Sequence, residues 1–362
     1  MSTTQAHSFE PDYVVAPGRT LRARLKQISV SQSELAARAG LSAKHVNQIM
    51  QGVAPITAET ALVLERVTGT PAAVWNRLEA DYREGLLRAR TQKLSATDRA
   101  WITKFPVHDM QRRGLLPVGS ENSIFEGLLS YFGVADRSAW ERVWARPATV
   151  LKQSKAFRSS PGAVAAWLRL GELRAREADA SPYDARKFRR ALERIRGLTL
   201  THNFSEELFA LCAEAGVVVV LVKEIGECRV SGAAWWLNAE RAVIQLTDRY
   251  KREDNFWFAF FHEAAHVLLH SKKQTFVDDG DQAAELEIED EANSFAAGTL
   301  IPPPAGKMLP LLRSDRDVEL FAAEIGISAG IVVGRLHNDG IWDWNRGNRL
   351  RHKLQIAEAS WL

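Results

Sequence analysis

Apolar positions recur at helical spacing from Thr20 to about Leu87. They run through Leu21, Leu25 and Ile28, then Leu35, Ala36 and Ala39, then Val46, Ile49 and Met50, then Leu62, Leu64 and Val67. Breaks at Gly40, at Gly52 to Pro55 and at Gly69 to Pro71 divide this stretch into short helices, so an all-helical domain is predicted over 17–87. Helical spacing continues over 88–199, with aromatic anchors such as Trp101, Phe125, Trp140 and Trp167; this reads as a helical middle region that is partly linker. At Gly216 the period changes. Val217 to Val222 is a β-branched apolar run of the buried-strand kind, and Gly232 to Leu237 and Arg241 to Leu246, separated by Asn238-Ala239-Glu240, read as a hairpin. A long apolar helix, Phe256 to His270, follows, then an acidic stretch, then a helix from Glu289 to Leu300 stopped by Ile301-Pro302-Pro303-Pro304. Residues 200–304 are therefore expected to form an α+β domain with a small three-stranded sheet, and 305–362 a C-terminal helical extension. Residues 1–16 lack periodicity and read as a flexible arm. The expected fold is multi-domain and mainly α.

At 362 residues the chain is long enough for two or three domains, and 46% hydrophobic with 25% charged residues excludes global disorder. No apolar run is long enough to span a bilayer, and no signal-peptide pattern opens the chain, so no membrane partner is expected. Cys212 and Cys228 are too few for a disulfide framework, which fits a reducing cytoplasm. The net charge of +3 conceals an asymmetry, because Gly18 to Lys104 holds 14 Lys and Arg against 7 Asp and Glu. A basic N-terminal module attached to a mildly acidic body suits a nucleic-acid contact.

The basic module contains a helix from Gln32 to Ala39, a turn at Gly40 and a second helix capped by Ser42 and running to Met50. This is helix-turn-helix spacing. Lys44, His45, Asn47, Gln48 and Gln51 fall on the outer face of the second helix, where amides and a cation meet base edges and phosphates. Gln32 is placed for a phosphate. Candidate DNA-contacting residues are Gln32, Ser42, Lys44, His45, Asn47 and Gln48. The segment from Ser31-Gln32-Ser33-Glu34-Leu35-Ala36 through Gly40-Leu41-Ser42 and Val46-Asn47-Gln48-Ile49 to Trp75-Asn76-Arg77-Leu78-Glu79 resembles the Xre/Cro repressors, in particular the HigA-like antitoxins. That resemblance implies a homodimer on a pseudo-palindromic DNA operator, with a cognate toxin as a candidate partner.

His262-Glu263-Ala264-Ala265-His266 is an HExxH motif inside the apolar helix. Positions i and i+4 share a helix face about 6 Å apart along the axis, so both imidazoles can reach one cation while Glu263 serves as general base. A third ligand is required. Asp278, Asp279, Asp281, Glu285, Glu287, Glu289, Asp290 and Glu291 compete; Glu289 is chosen because Asn293 shares its face, and Glu291 is the alternative. His270 lies about 12 Å along the axis from His262, too far for the same ion, and reads as a supporting or packing residue.

The stretches Phe256 to His270 and Glu289-Asp290-Glu291-Ala292-Asn293 to Pro302 resemble the ImmA/IrrE metallopeptidases, whose members frequently carry an Xre-type domain. The resemblance implies a zincin-like fold, a Zn2+ ion held by His262, His266 and Glu289, Glu263 as catalytic base, and a protein substrate such as a DNA-bound repressor in stress response or mobile-element control. The competing reading is an antitoxin-like transcription factor whose metal domain is a non-catalytic sensor. Strand Arg241 to Leu246 is expected to bind substrate by strand addition. Val318 to Leu336 reads as a second helix-turn-helix-like pair used for packing, and the cations of Arg346 to Lys353 read as a solvated face.

Overall fold

The computed structural model describes residues 15–90, 94–145, 160–201, 203–226, 228–249, 251–270, 282–357 and 360–361, with the backbone alone for 88–90 and 282–285. Most of the N-terminal arm, Asp278, Asp279, Asp281 and the Glu285 side chain lie outside the described residues. The chain forms two compact units, 1–95 and 96–362.

The first unit contains α1 (Pro17–Gln27), α2 (Gln32–Ala39), α3 (Ala43–Met50), α4 (Ala58–Thr68) and α5 (Ala72–Arg90). Its helix starts are set by hydroxyls. Ser31, Ser42 and Thr57 accept the backbone N–H of Glu34, His45 and Thr60 respectively. Gly40 and Gly69, at φ of 65° and 70°, close α2 and α4 in the left-handed conformation that glycine adopts without steric cost. Leu21, Leu35, Val46, Ile49, Ala61, Leu64 and Trp75 are fully buried in one core. Each of the large aliphatic side chains there contributes roughly 1.5–3 kcal/mol.

The second unit opens with α6 (Ala96–Ile102), α7 (Val107–Arg112), α8 (Glu121–Phe132) and α9 (Arg137–Trp140). Trp101, Phe105, Phe125, Phe132 and Trp140 pack there largely edge to face. Then come α10 (Pro161–Glu177), α11 (Ala185–Gly197), α12 (Ser205–Glu214), β1 (Val217–Leu221), β2 (Gly232–Asn238) and β3 (Arg241–Leu246). The order in the sheet is β1-β3-β2, with β1 parallel and β2 antiparallel to β3. The unit ends with α13 (Glu253–Leu269), α14 (Gln282–Leu300), α15 (Pro303–Gly306), α16 (Asp315–Ile325) and α17 (Ala329–Asn338).

Strand alternation gives the sheet two apolar faces. On one, Gln245 Nε2 donates to Trp167 O at 2.8 Å and Trp167 Nε1 donates to Val222 O at 3.0 Å, which docks α10 on the sheet. The helix from Pro161 is thus an integral layer of the second unit rather than linker. On the other face, Ala242, Ile244 and Leu246 join Phe256, Trp257, Phe260, Phe261 and Ala264 of α13 in the main core. α16 and α17 add Phe321, Ile331, Val332 and Leu336 to the same core, so the Val318 to Leu336 pair is packing material.

Two sequence expectations are corrected. Arg241 to Leu246 cannot add a substrate strand, because β3 is central and bonded on both sides; the edge beside α13 belongs to β2. The C-terminal cations are not uniformly solvated. Arg351 Nη2 lies 2.6 Å from Asp254 Oδ2, with side-chain exposures of 9% and 5%, so this ion pair ties the tail to the first turn of α13. Removing one partner of such a pair leaves a buried charge uncompensated.

Candidate metal centre and DNA-reading helix

Helix α13 is anchored by its aromatic face, which fixes the opposite histidine-bearing face against α14. His262 Nε2 and His266 Nε2 are 3.1 Å apart. Glu289 reaches them from α14, with Oε2 at 3.3 Å from His262 Nε2 and Oε1 at 3.4 Å from His266 Nε2. One ligand atom from each of the three lies within 4.8 Å of the others. Donors placed tetrahedrally on a zinc ion at about 2 Å would stand about 3.3 Å from one another. The observed separations match that spacing. The residues therefore fit a divalent metal.

The surroundings orient these donors. His262 Nδ1 lies 3.1 Å from Asn293 Oδ1, an acceptor that holds the proton on Nδ1 and turns the Nε2 lone pair inward. His266 Nδ1 faces His270 Nδ1 at 2.9 Å, and His270 Nε2 lies 3.2 Å from Glu291 Oε2. Glu291 therefore engages His270, away from the three-donor cluster, and His270 supports His266 from behind.

Electrostatics follow from burial and from this crowding. Burial pushes the Glu263 carboxyl up to about 7, with His262 opposing the shift and Glu289 adding to it. Burial and the neighbouring His262 hold the His266 imidazolium down near 4, so His266 is neutral. For His262 burial acts downward, but the Glu289 and Glu263 carboxylates outweigh it and the net direction is up. For Glu289 burial acts upward, and the hydrogen bond and charge of His262 bring it below the usual carboxylate range.

Strand β2, at the edge of the sheet among the described residues, reaches the same point. Gly232 on β2 approaches Glu263 so closely that a β-carbon there would lie 2.8 Å from both Cγ and Oε1. Sequence reasoning placed Gly232 in a strand without assigning it a role; glycine inside a strand is itself a sign of close approach. At the other end of β2, Trp236 packs edge to face on Tyr183, whose hydroxyl donates to Val267 O at 3.4 Å.

In the first unit, Gln32 is exposed in the first turn of α2. On α3, Lys44 and Asn47 are exposed and His45 and Gln48 half-buried, while Val46, Ile49 and Met50 are buried. The Ser42 hydroxyl oxygen accepts His45 N at 3.1 Å, which leaves its O–H able to donate outward. All six candidates lie on α2, on α3 or at the cap of α3.

Among the described residues no helix is long and apolar enough to cross a membrane. The two cysteines are buried and unpaired.

Comparison with known families gives two matches. Residues 21–75 match the helix-turn-helix family model, and residues 212–337 match that of the IrrE N-terminal-like domain of peptidase family M78. No curated protein matches the chain. Among solved structures, the chain is similar to the Pseudomonas aeruginosa antitoxin HigA with higBA promoter, at 30% identity over 22% of this chain and 87% of that one, with a TM-score of 0.21. Residues 21–75 thus form a helix-turn-helix domain, and residues 212–337 an IrrE N-terminal-like domain.

Proposed function

We propose that this chain is a DNA-binding transcriptional regulator whose second unit is a zinc-dependent endopeptidase acting on a regulatory protein. The observation that carries this reading is the convergence of His262, His266 and Glu289 at 3.1–3.4 Å with the buried carboxyl of Glu263 on the same helix. His262, His266 and Glu289 would hold the ion. Bound there, zinc supplies a Lewis acid for a peptide carbonyl and acidifies a water molecule. Glu263 takes the proton from the attacking water and returns it to the leaving amine. Asn293 and His270 keep the two imidazoles in the tautomer that directs Nε2 inward. The outer edge of β2, paired with β3 on its other side, supports a peptide in extended form by strand addition. A purely structural metal site has no use for a buried carboxyl beside two ligands, which favours catalysis over a sensor role.

In the first unit α3 enters the major groove with Asn47 and Gln48 at base edges, and Lys44, Gln32 and Ser42 contact phosphates. A two-fold dimer on a palindromic operator accords with this module.

The test is elemental analysis of wild type beside His262→Ala, Glu289→Ala and Glu263→Gln after removal of loosely held metal. About one zinc per chain is expected in wild type and Glu263→Gln, and none in the other two. Wild-type protein without stoichiometric metal would sink the peptidase reading.

A further inference from the structure

Helix α11 (Ala185–Gly197) carries six Arg and Lys against one acid, Glu193. The whole chain is at +3 and Gly18 to Lys104 at +7, which leaves −4 for the rest, so this density of positive charge is a local feature of an acidic body. Phe188, Ala191, Leu192 and Ile195 of the helix are buried in the main core. At 100° per residue these four occupy an arc of about 100°, and Arg186, Lys187, Arg189, Arg190 and Arg194 fall within the opposite arc of about 160°. All five are exposed. The sixth cation, Arg196, turns away to the carbonyls of Thr299, Leu300 and Ile325.

Little neutralises this face. Among the described residues no carboxylate lies within ion-pair distance of Arg186, Lys187, Arg189 or Arg190. Asp184, at the N-cap, directs Oδ1 to the backbone N–H of Arg186 and Lys187, at 2.8 and 2.9 Å. Arg194 faces Glu207 of α12 at 3.6 Å. Arg186, Arg190 and Arg194 follow one another four residues apart, a spacing at which like charges destabilise a helix and which a bound polyanion relieves. Their row is about 12 Å long, the axial length of roughly three to four phosphates on one DNA strand. Guanidinium groups suit such a partner, since each presents paired N–H donors to phosphate oxygens.

Resting on the DNA-binding reading of the first unit, we infer that the outer face of α11 is a second DNA contact, which grips the phosphate backbone of the duplex that the first unit reads, without regard to base sequence. A bilayer surface does not fit. A helix that lies in one needs its apolar side, and here that side is in the core. DNA is favoured over an acidic protein because the same chain carries a helix-turn-helix domain at residues 21–75. Duplex held by one unit is presented to the other at high effective concentration, so a contact with a few phosphates, weak alone, strengthens the whole.

The test uses the full chain and a duplex of about 50 base pairs, longer than two half-sites one helical turn apart, with the sequence enriched from a random pool at its centre. It is titrated by fluorescence anisotropy at several salt concentrations. The triple variant Arg186→Gln, Arg189→Gln, Arg190→Gln is expected to bind about 10–100-fold more weakly at low salt and to reduce the salt slope of log K by about 2–3 per chain. The triple variant Arg186→Lys, Arg189→Lys, Arg190→Lys keeps the charges and is expected to keep the slope. Arg174→Gln with Arg176→Gln removes two exposed cations of α10 that are already paired with Glu177 and Glu172, and is expected to leave the slope unchanged. A wild-type slope in the Gln triple would overturn the inference and return α11 to a solvated face or a protein surface. Equal loss in the α10 control would overturn it as well, because net charge and not this face would set the affinity. Loss in the Lys triple would do the same by assigning the effect to helix structure. Binding of no duplex by wild type would remove the DNA reading and this inference together.

Discussion

The α-carbon of Gly232 faces the carboxyl of Glu263 with no room for a methyl group, since a β-carbon would come within 2.8 Å of Cγ and Oε1. The edge strand and the candidate base are thereby packed as one piece. Gly232→Ala is expected to displace Glu263, to cost about 1–3 kcal/mol of stability through overpacking, and to leave zinc stoichiometry intact. A misplaced base lowers peptide cleavage by on the order of 10²-fold. Metal content, a denaturation midpoint and a cleavage rate on one purified variant separate these effects; loss of zinc would mean that Gly232 supports the ligands rather than the base.

Asn293 is expected to act on metal affinity without being a ligand, through its 3.1 Å contact with His262 Nδ1. Asn293→Ala is expected to weaken zinc binding by about 10–100-fold, while Asn293→Asp, which retains an acceptor, keeps most of it. Competition with a chelator of known affinity reads this directly. Equal zinc affinity in Asn293→Ala and wild type would remove Asn293 from the supporting shell.

Arg196 joins the ends of two helices. Its guanidinium donates to Thr299 O and Leu300 O at the end of α14, the helix that carries Glu289, and to Ile325 O at the end of α16. These carbonyls have no partner inside their own helices. Arg196→Ala is expected to lower stability by about 2–4 kcal/mol, the cost of leaving such acceptors without a charged donor. Urea unfolding followed by far-UV circular dichroism measures it, and a change below about 0.5 kcal/mol would show that water replaces the guanidinium.

What could be read from the sequence and what could not divides along range. The HExxH pair, the choice of Glu289 over Glu291 and the caps at Ser31 and Ser42 depend on helical periodicity over a few residues, and the structure brings His262, His266, Glu289 and Asn293 together as that periodicity suggests. The strand order was beyond reach. A hairpin pattern says that 232–237 pairs with 241–246, but only the non-local parallel pairing of Val217 with Ala242 puts β3 in the middle and turns the edge over to β2. Gly232 carried the one overlooked local signal.

Acid sensitivity is expected from Asp109, far from the metal cluster in sequence. Burial raises its pKa, but the Arg112 hydrogen bond, the Gly226 N–H at 2.9 Å and the charge of Arg113 outweigh it, and the net direction is down. A depressed carboxylate contributes stability that is fully present above its unfolded pKa of about 3.9 and lost as pH falls through the folded value. Asp109→Asn removes that charge. The gap in urea midpoint between wild type and Asp109→Asn should therefore be widest at neutral pH and close as pH falls below about 4. A gap independent of pH would assign the effect to packing.

The DNA reading divides α3 into residues that read sequence and residues that supply charge. Asn47 and Gln48 carry amides suited to adenine edges, so Asn47→Ala is expected to cost about 1–3 kcal/mol on a preferred duplex and little on a scrambled one. Lys44 is exposed and, on the DNA-binding reading, supplies charge to a phosphate. Lys44→Ala should weaken both duplexes alike and reduce the salt slope of log K by about 1 per half-site. The probe is the duplex that the full chain enriches from a random pool, titrated by fluorescence anisotropy at several salt concentrations. Uniform weakening in Asn47→Ala, with the specificity ratio unchanged, would show that α3 only grips the backbone and that base reading lies elsewhere in the first unit. Enrichment of no duplex would leave the basic charge of that unit as a general surface property.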